Sequence, residues 1–367
     1  EVECLAATDG RFMDKQLFTC APKKGYFTKL SRVKLDDRFA HFSSFSTLSS
    51  EFSESDESLD ELINVAVDYV AGRNLGIQGH HNSCYLDASL FAMFTFNDCF
   101  DCMLYRSKNV NDINSYDEIQ RTLRDGIVHP LRLNLYVRAD KVVRLRQLIS
   151  DVSRNYGFLN EEKDPEEFLH CLFKETLKLT PLLQFKSAQF FLLVDDPSMT
   201  SSQMSPTSTP TLAQLLEASM QKFNLKFTKV SNAPSDVYVS PSMKNISPLS
   251  LNLIQSSTDT ICNTSKDYTL ELFAVVCIKT SHYVSFTKCG YKQDSPWLFF
   301  DSMSDRIDSG HGYNIPGIQI CEEVTEFLMN ESFRNRLEST PDESLSEELK
   351  RFLCDGYICF YRSQKPI

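Results

Sequence analysis

Gly79-His80-His81-Asn82-Ser83-Cys84-Tyr85-Leu86 is the stretch from which the fold of this chain is read. Beyond it, apolar residues fall at 86, 90, 93 and 94. That spacing of i, i+4, i+7 and i+8 lines one face of a helix. Asn82 or Ser83 suits the N-cap, which sets Cys84 in the first turn of a buried helix. There the helix dipole and the unpaired backbone N–H groups favour a thiolate over a thiol. The same N–H groups can hold an oxyanion as it develops. A lone cysteine in such a place is ordinarily structural; only partners elsewhere in the chain make it a nucleophile.

The partner lies far along the chain. Leu270 to Ile278 is a strongly apolar strand, and His282-Tyr283-Val284-Ser285-Phe286-Thr287 alternates like a second one. After Lys288 to Pro296, read as a loop, comes Trp297-Leu298-Phe299-Phe300-Asp301. A hairpin about that loop sets Thr287 against Pro296, and the same register sets His282 directly opposite Asp301, with Cβ atoms about 5 Å apart. A carboxylate there binds one imidazole nitrogen and leaves the other free as a base. Taken singly, His282 reads as a core or surface histidine and Asp301 as a strand-end residue. Together, in the order Cys, His, Asp, they read as nucleophile, acid/base and orienter, the equipment of acyl transfer.

Around this constellation the chain has a clear order. Helical patterns dominate from about 85 to 180, strand patterns from about 225 to 301, and another helical stretch spans about 322 to 337. A strand, Tyr357-Ile358-Cys359-Phe360-Tyr361, closes the chain. Helices first and sheet second predict an α+β fold. Ahead of this, residues 10 to 39 are basic and strand-like, with β-prone pieces at 16–19 and 26–30 about a Pro22-Lys23-Lys24-Gly25 turn. Ser43 to Ser58 is Ser- and acid-rich and reads as a linker. Ser198 to Pro210 reads as a surface loop.

The 367 residues carry 38 Lys+Arg against 49 Asp+Glu, a net charge of −11. Phosphate-backbone binding needs a basic face, so nucleic acid is excluded as the main partner, and a basic protein partner suits the balance better. No apolar run reaches the ~18–20 residues of a bilayer span. Glu1-Val2-Glu3-Cys4 lacks the regions of a secretory leader. Twelve cysteines, several inside apolar strands, predict buried thiols in a reducing, cytoplasmic compartment. Cys99-x-x-Cys102 has no second pair at zinc spacing, and no glycine-rich phosphate loop occurs, so neither metal nor cofactor is expected.

Two further groups stand near the chemistry. His80 and His81 are too close to Cys84 along the chain to swing behind its sulfur, and read as structural or substrate-lining. Lys163-Asp164-Pro165-Glu166-Glu167-Phe168-Leu169 combines Asp at N-cap, Pro at N1 and Glu at N3, a strong helix start with a capping box. That structural role is sufficient in itself, although Asp164 and Glu167 are also placed to meet basic groups.

As a set, these motifs resemble the ubiquitin-specific proteases. Gly76-Ile77-Gln78-Gly79-His80-His81-Asn82-Ser83-Cys84-Tyr85-Leu86-Asp87 resembles the family's cysteine box, and Glu161 to Leu169 its acidic motif. Glu271 to Val275, Ser281-His282-Tyr283-Val284 and Trp297 to Met303 resemble its histidine box and aspartate strand. Asp9-Gly10-Arg11-Phe12 to Phe27 resembles the C-terminal half of a CAP-Gly domain, a module that precedes the catalytic domain in one branch of the family; the half with the glycine-rich groove motif is missing. The resemblance implies a partial CAP-Gly-like module at 1–40, a linker at 41–71 and a catalytic domain at 72–367. It implies a papain-like fold with a helical thumb, a β palm and, here, reduced β fingers without the zinc-binding B-box of that branch. Cys84 is then the nucleophile, His282 the base and Asp301 its orienter. The implied substrate is the isopeptide or peptide bond after the C-terminal glycine of ubiquitin, with Asp164, Glu167, His81 and Tyr283 lining its site. Polyubiquitin in extended linkages, linear or through the lysine beside the ubiquitin N-terminus, is the implied preference, and the CAP-Gly-like segment implies a protein partner. Many family members carry Asn five residues before the cysteine as an oxyanion donor. Here that position is Gly79, which leaves Asn82 and the Cys84 N–H. With Gly79 and a Ser/Asn/Pro-rich stretch from 231 to 267, the alternative is a catalytically weakened ubiquitin-binding scaffold.

Overall fold

The computed structural model describes residues 70–178, 265–305, 313–337 and 340–363, with the short strands Arg11–Phe12, Lys15–Gln16, Leu183–Gln184, Thr228–Lys229, Val237–Val239 and Leu249–Ile254. The chain divides into two compact units, 1–51 and 52–367. In the first, Arg11 pairs with Gln16 and Phe12 with Lys15. The pieces expected beyond residue 16 in that unit, the linker at 43–58 and the loop at 198–210 lie outside the described residues, as does most of the region expected to form fingers.

The second unit is α+β, as the order of patterns predicts. Its helical part comprises α1 (Cys84–Phe94), α2 (Asp101–Tyr105), α3 (Tyr116–Leu123), α4 (His129–Asn134), α5 (Ala139–Ser153), α6 (Gly157–Asn160) and α7 (Pro165–His170). A π-helical turn, Cys171–Thr176, continues α7. The strands are β1 (Gly72–Arg73), β2 (Gly76–Ile77), β3 (Tyr136–Val137), β4 (Ser265–Lys279), β5 (His282–Lys288), β6 (Trp297–Asp305), β7 (Ile315–Ile320) and β8 (Gly356–Ser363). The main sheet runs β1-β7-β6-β5-β4-β8, every neighbouring pair antiparallel. β2 and β3 form a separate parallel pair.

α1 is more deeply placed than its apolar stripe implies. Every residue from Cys84 to Phe94 is buried, Asp87 and Ser89 included. The helix lies between the sheet and the other helices. Phe91 stacks on Phe300 of β6 at 4.1 Å, while Tyr85 meets Phe158 of α6 and Phe168 of α7. This sandwich of a cysteine helix against a sheet that carries His and Asp is the papain-like arrangement. The opposite face of the sheet is covered by α8 (Glu322–Met329), α9 (Glu331–Leu337) and α10 (Glu347–Cys354). Val284, Phe286, Trp297 and Phe299 pack there against Val324, Leu349 and Phe352.

The β5–β6 register differs from the expected one by two residues. Ser285 pairs with Phe300 and Lys288 with Trp297, and the Cys289 N–H closes the loop on the Pro296 carbonyl at 2.8 Å. The sequence reading places Lys288 at the start of the loop. It stays in the strand because its ammonium is only 4% exposed and paired with Glu271, whose second oxygen takes the Arg362 guanidinium at 3.1 Å. Continuing this ladder makes His282 and Asp301 diagonal neighbours instead of direct ones. A slip of two leaves both side chains on the same face, so their meeting survives.

Beside the two-residue strands β1, β2 and β3, two longer elements, β7 and α10, have no counterpart in the sequence reading. β7 contains Pro316 and Gly317, residues that read as breakers; Pro316 sits where the β6–β7 pairing is irregular, between Asp301↔Gly317 and Asp305↔Ile315, so no ladder donor is lost. α10 is short, but its start was legible: Ser346 caps it by accepting the Leu349 N–H at 3.2 Å, ahead of Glu347 and Glu348.

Candidate active site

The loop between β2 and α1 is held tightly. Gly79 donates its N–H to the Ser302 carbonyl at 3.2 Å and its own carbonyl accepts the Asn314 N–H at 3.0 Å. A Cβ at Gly79 would come 2.7 Å from the Ser302 oxygen, so an asparagine at this position has no room. His81 and Asn82 follow in the left-handed region, at φ 38° and 51°. Two successive non-glycine residues there cost strain that the surroundings must offset.

Ser83 occupies the N-cap position without capping the helix. Its hydroxyl accepts the His80 N–H at 2.9 Å and donates to Asp87 Oδ2 at 2.6 Å. Cys84 follows as the first helical residue, 3% exposed. Its thiol donates to the Ser281 carbonyl across 3.9 Å. Burial pushes the thiol up to about 11; the backbone N–H of Tyr283 pulls the other way, and the Asp87 charge adds to the rise. The dipole-favoured thiolate expected from the helix start is therefore outweighed by desolvation in this closed arrangement.

His282 opens β5, immediately after the two-residue turn Thr280-Ser281. Thr280 takes φ 57°, an outlier for a β-branched residue. His282 Nε2 lies 2.8 Å from Asp301 Oδ1, and that oxygen also accepts the Met303 N–H at 2.7 Å. His282 Nδ1 is buried and has no hydrogen-bond partner. With a carboxylate on Nε2, the proton sits there, and Nδ1 carries the lone pair of a base.

The remaining expected site residues separate into two groups. Asp164 caps α7 by accepting the Glu166 N–H at 2.8 Å, and its second oxygen accepts the Tyr357 hydroxyl. Tyr357 lies 6.1 Å from Tyr283, which follows His282, and the Tyr283 phenol is pushed up by burial and by the charges of Asp164, Cys84 and Glu162. Asp164 and Tyr283 thus belong to one acidic and aromatic wall beside Cys84. Glu167 does not return to the Asp164 N–H as a capping box would; it accepts from Asn155 Nδ2 at 2.6 Å and stands 3.7 Å from Lys163. The exposed Asn82 amide donates to the Asn160 carbonyl at 3.0 Å. His81, also exposed, meets the His80 ring edge-on at 4.2 Å.

Sequence reading missed Ser83, Asp87, Arg146 and Tyr357. Arg146 is 1% exposed; it donates to the carbonyls of His80 at 3.0 Å, His81 at 3.1 Å and Phe158 at 2.6 Å. Its signal was present: Val142, Leu145, Arg146 and Ile149 share the buried stripe of α5, an arginine among apolar residues. Among the described residues, no group of three or more His, Cys, Asp or Glu could hold a metal ion, and no helix is long and apolar enough to cross a membrane.

No protein-family model matches the chain. It is 34% identical to ubiquitin carboxyl-terminal hydrolase CYLD of Homo sapiens over 459 aligned residues, covering 99% of this chain and 46% of the relative. The CYLD of Mus musculus is 35% identical over 456, with the same coverage. The chain thus spans about half the length of the curated relatives it matches. Both alignments are longer than the chain, so these relatives carry extra residues inside the shared span. Among solved structures, the ubiquitin-bound SAGA DUB module containing Ubp8 matches with a TM-score of 0.40 at 14% identity, over 85% of this chain and 76% of that one. The Pan2 pseudoubiquitin hydrolase–RNA exonuclease module of Saccharomyces cerevisiae gives 0.40 at 13%, over 80% and 55%.

Proposed function

We propose that this chain, homologous to the CYLD ubiquitin carboxyl-terminal hydrolases along nearly all of its length, is a thiol-dependent deubiquitinase with Cys84 as nucleophile, His282 as base and Asp301 as orienter. The observation that carries this reading is the His282–Asp301 contact at 2.8 Å, which leaves Nδ1 as the free base beside a helix-start cysteine. In the reaction, Nδ1 takes the thiol proton as Cys84 Sγ attacks the carbonyl after the ubiquitin C-terminal glycine. The imidazolium returns that proton to the leaving lysine or α-amine. Water activated by His282 then hydrolyses the thioester. The Cys84 N–H and the Asn82 amide are the oxyanion donors; Asn82 must leave Asn160 to serve.

The acidic and aromatic wall of Asp164, Tyr283 and Tyr357 supports the binding of a basic, extended ubiquitin tail. Glu167 supports it by anchoring Asn155 and Lys163, and His81 by lining the approach. The resting thiol, pushed up to about 11 and turned to Ser281, requires that substrate binding bring Sγ to Nδ1. The same observation favours a second reading, a weakened ubiquitin-binding scaffold. Free thiols at Cys171, Cys277, Cys289, Cys321 and Cys359 support a reducing, cytoplasmic setting. The CAP-Gly likeness of residues 9–27 supports a protein partner for the first unit.

A ubiquitin bearing a C-terminal thiol-reactive warhead decides between the readings. Wild-type protein forms the adduct and Cys84→Ala does not. A retained complex without adduct favours the scaffold, and neither adduct nor complex refutes both. On linkage-defined diubiquitins, linear chains and those through the lysine beside the ubiquitin N-terminus are cut fastest; equal cutting of all linkages refutes the preference.

A further inference from the structure

The loop that delivers Cys84 is gripped from two sides by groups that take no part in the chemistry proposed above. From α5, the buried Arg146 spreads its fork over three carbonyls, two of them the successive loop carbonyls of His80 and His81. Among the described residues, no carboxylate stands within ion-pair distance of this guanidinium. From α1, Asp87 holds Ser83, and the Ser83 hydroxyl holds the His80 N–H. Between these grips lie His81 and Asn82, both left-handed, and then the Cys84 N–H. The backbone between Gly79 and Cys84 therefore takes its shape from outside itself.

We propose that Asp87 and Arg146 are positioning residues that hold the Gly79–Ser83 loop in its strained form, through Ser83 and through the His80 and His81 carbonyls, and so aim the Cys84 thiol and N–H at the scissile carbonyl. This rests on the deubiquitinase reading for its consequence, but the grip itself is a property of the fold. Asp87 is wholly buried and feels the Arg146 charge without an ion-pair contact to it. The groups facing Asp87 are Ser83, Cys84 and Tyr85 on its own stretch of chain, Arg146 from α5, and Asp301 and Ser302 from β6. Weakening either grip loosens the hydrogen bonds to the His80 N–H or to the His80 and His81 carbonyls, and the loop then relaxes toward right-handed backbone at His81 and Asn82.

Amide hydrogen exchange over residues 79–86 tests the grip without reference to activity. In Ser83→Ala, Asp87→Asn and Arg146→Lys, that segment exchanges about tenfold faster or more, while residues 88–94 and the β4–β5 hairpin keep the wild-type rate. Ser83→Ala is the mildest of the three and reports on the loop even if a charge variant opens more widely. Unchanged exchange at 79–86 in all three overturns the proposal. On a fluorogenic amide of the ubiquitin C-terminus, the same variants lose about 10- to 100-fold in kcat with KM within about twofold, the pattern of lost transition-state alignment. A raised KM at unchanged kcat, or full kcat in Arg146→Lys, whose ammonium cannot span three carbonyls, also overturns it. Absence of turnover by wild type would refute the deubiquitinase reading and leave the exchange result to decide the grip.

Discussion

Replacing Asp87 by Asn should stabilise the protein as the pH rises. Asp87 is wholly buried, and desolvation lifts its carboxyl from 3.8 to about 7, against the opposing pull of the Ser83 hydroxyl and the Arg146 charge. The folded protein therefore holds a proton that the unfolded chain has released above about pH 4. The stability contributed by the neutral carboxyl is present at low pH and lost as the pH rises through about 7. Between pH 5 and 7 one proton is at stake over two pH units, which at about 1.36 kcal/mol per unit is about 2.7 kcal/mol. Asparagine keeps the shape and cannot ionise, so it escapes this loss. Urea midpoints at pH 5, 6, 7 and 8 read the difference directly, and the gap between variant and wild type should move by about 2–3 kcal/mol in the variant's favour. In a domain of this size that is roughly 4–10 °C in Tm. A gap independent of pH would mean that Asp87 is ionised throughout, with Arg146 outweighing burial. A gap moving the other way would refute the desolvation argument. On the deubiquitinase reading the same variant is expected to be less active, because the loop that Asp87 holds carries Cys84.

Other perturbations follow from the same geometry. Glu271→Gln strands Lys288 and Arg362, both under 5% exposed, and should cost about 3–5 kcal/mol in the denaturant midpoint; a loss below about 1 kcal/mol would show the triad to be dispensable. Gly79→Asn forces a Cβ against the Ser302 carbonyl and should cost about 1–3 kcal/mol and lower kcat, where an oxyanion role for the new amide would raise it. Iodoacetamide alkylation of Cys84 in the ligand-free protein should climb about tenfold per pH unit from pH 7 to beyond 9, the behaviour of a thiol held near 11; a plateau by pH 7 would mean a preformed thiolate. Tyr357→Phe takes the hydroxyl from Asp164 and should raise KM for the ubiquitin amide about two- to tenfold at constant kcat, since the contact lies on the proposed tail-binding wall.

How much of this was legible in the sequence depends on whether a residue's surroundings are local. Cys84 could be placed because a helix start is written in its neighbours. His282 and Asp301 could be placed because alternation fixes the face even when register slips; the actual slip of two residues changed the pairing and kept the contact. The slip came from ending the strand at Thr287, when Lys288 is held in it by Glu271, 17 residues back in β4. β7 was illegible for a similar reason: Pro316 breaks an isolated strand pattern, and only the irregular pairing beside it makes the proline harmless.

The site shows the same division between local and tertiary causes. Gly79 was visible as a departure from the family pattern, but its reason, the Ser302 carbonyl beneath it, comes from a strand more than 220 residues away. Asp87 and Arg146 carried a local signal that was passed over. Each is a charge set in an apolar helical run, Asp87 between Leu86 and Leu90, Arg146 between Leu145 and Ile149. A charge in such a run costs several kcal/mol unless something on another element receives it. Reading such a residue as a demand for a partner, and asking which nearby backbone lacks its own hydrogen bonds, leads from Arg146 to the carbonyls of His80 and His81 and from Asp87 to Ser83. Those carbonyls belong to the left-handed segment next to Cys84, so the two misplaced charges and the strained loop account for one another.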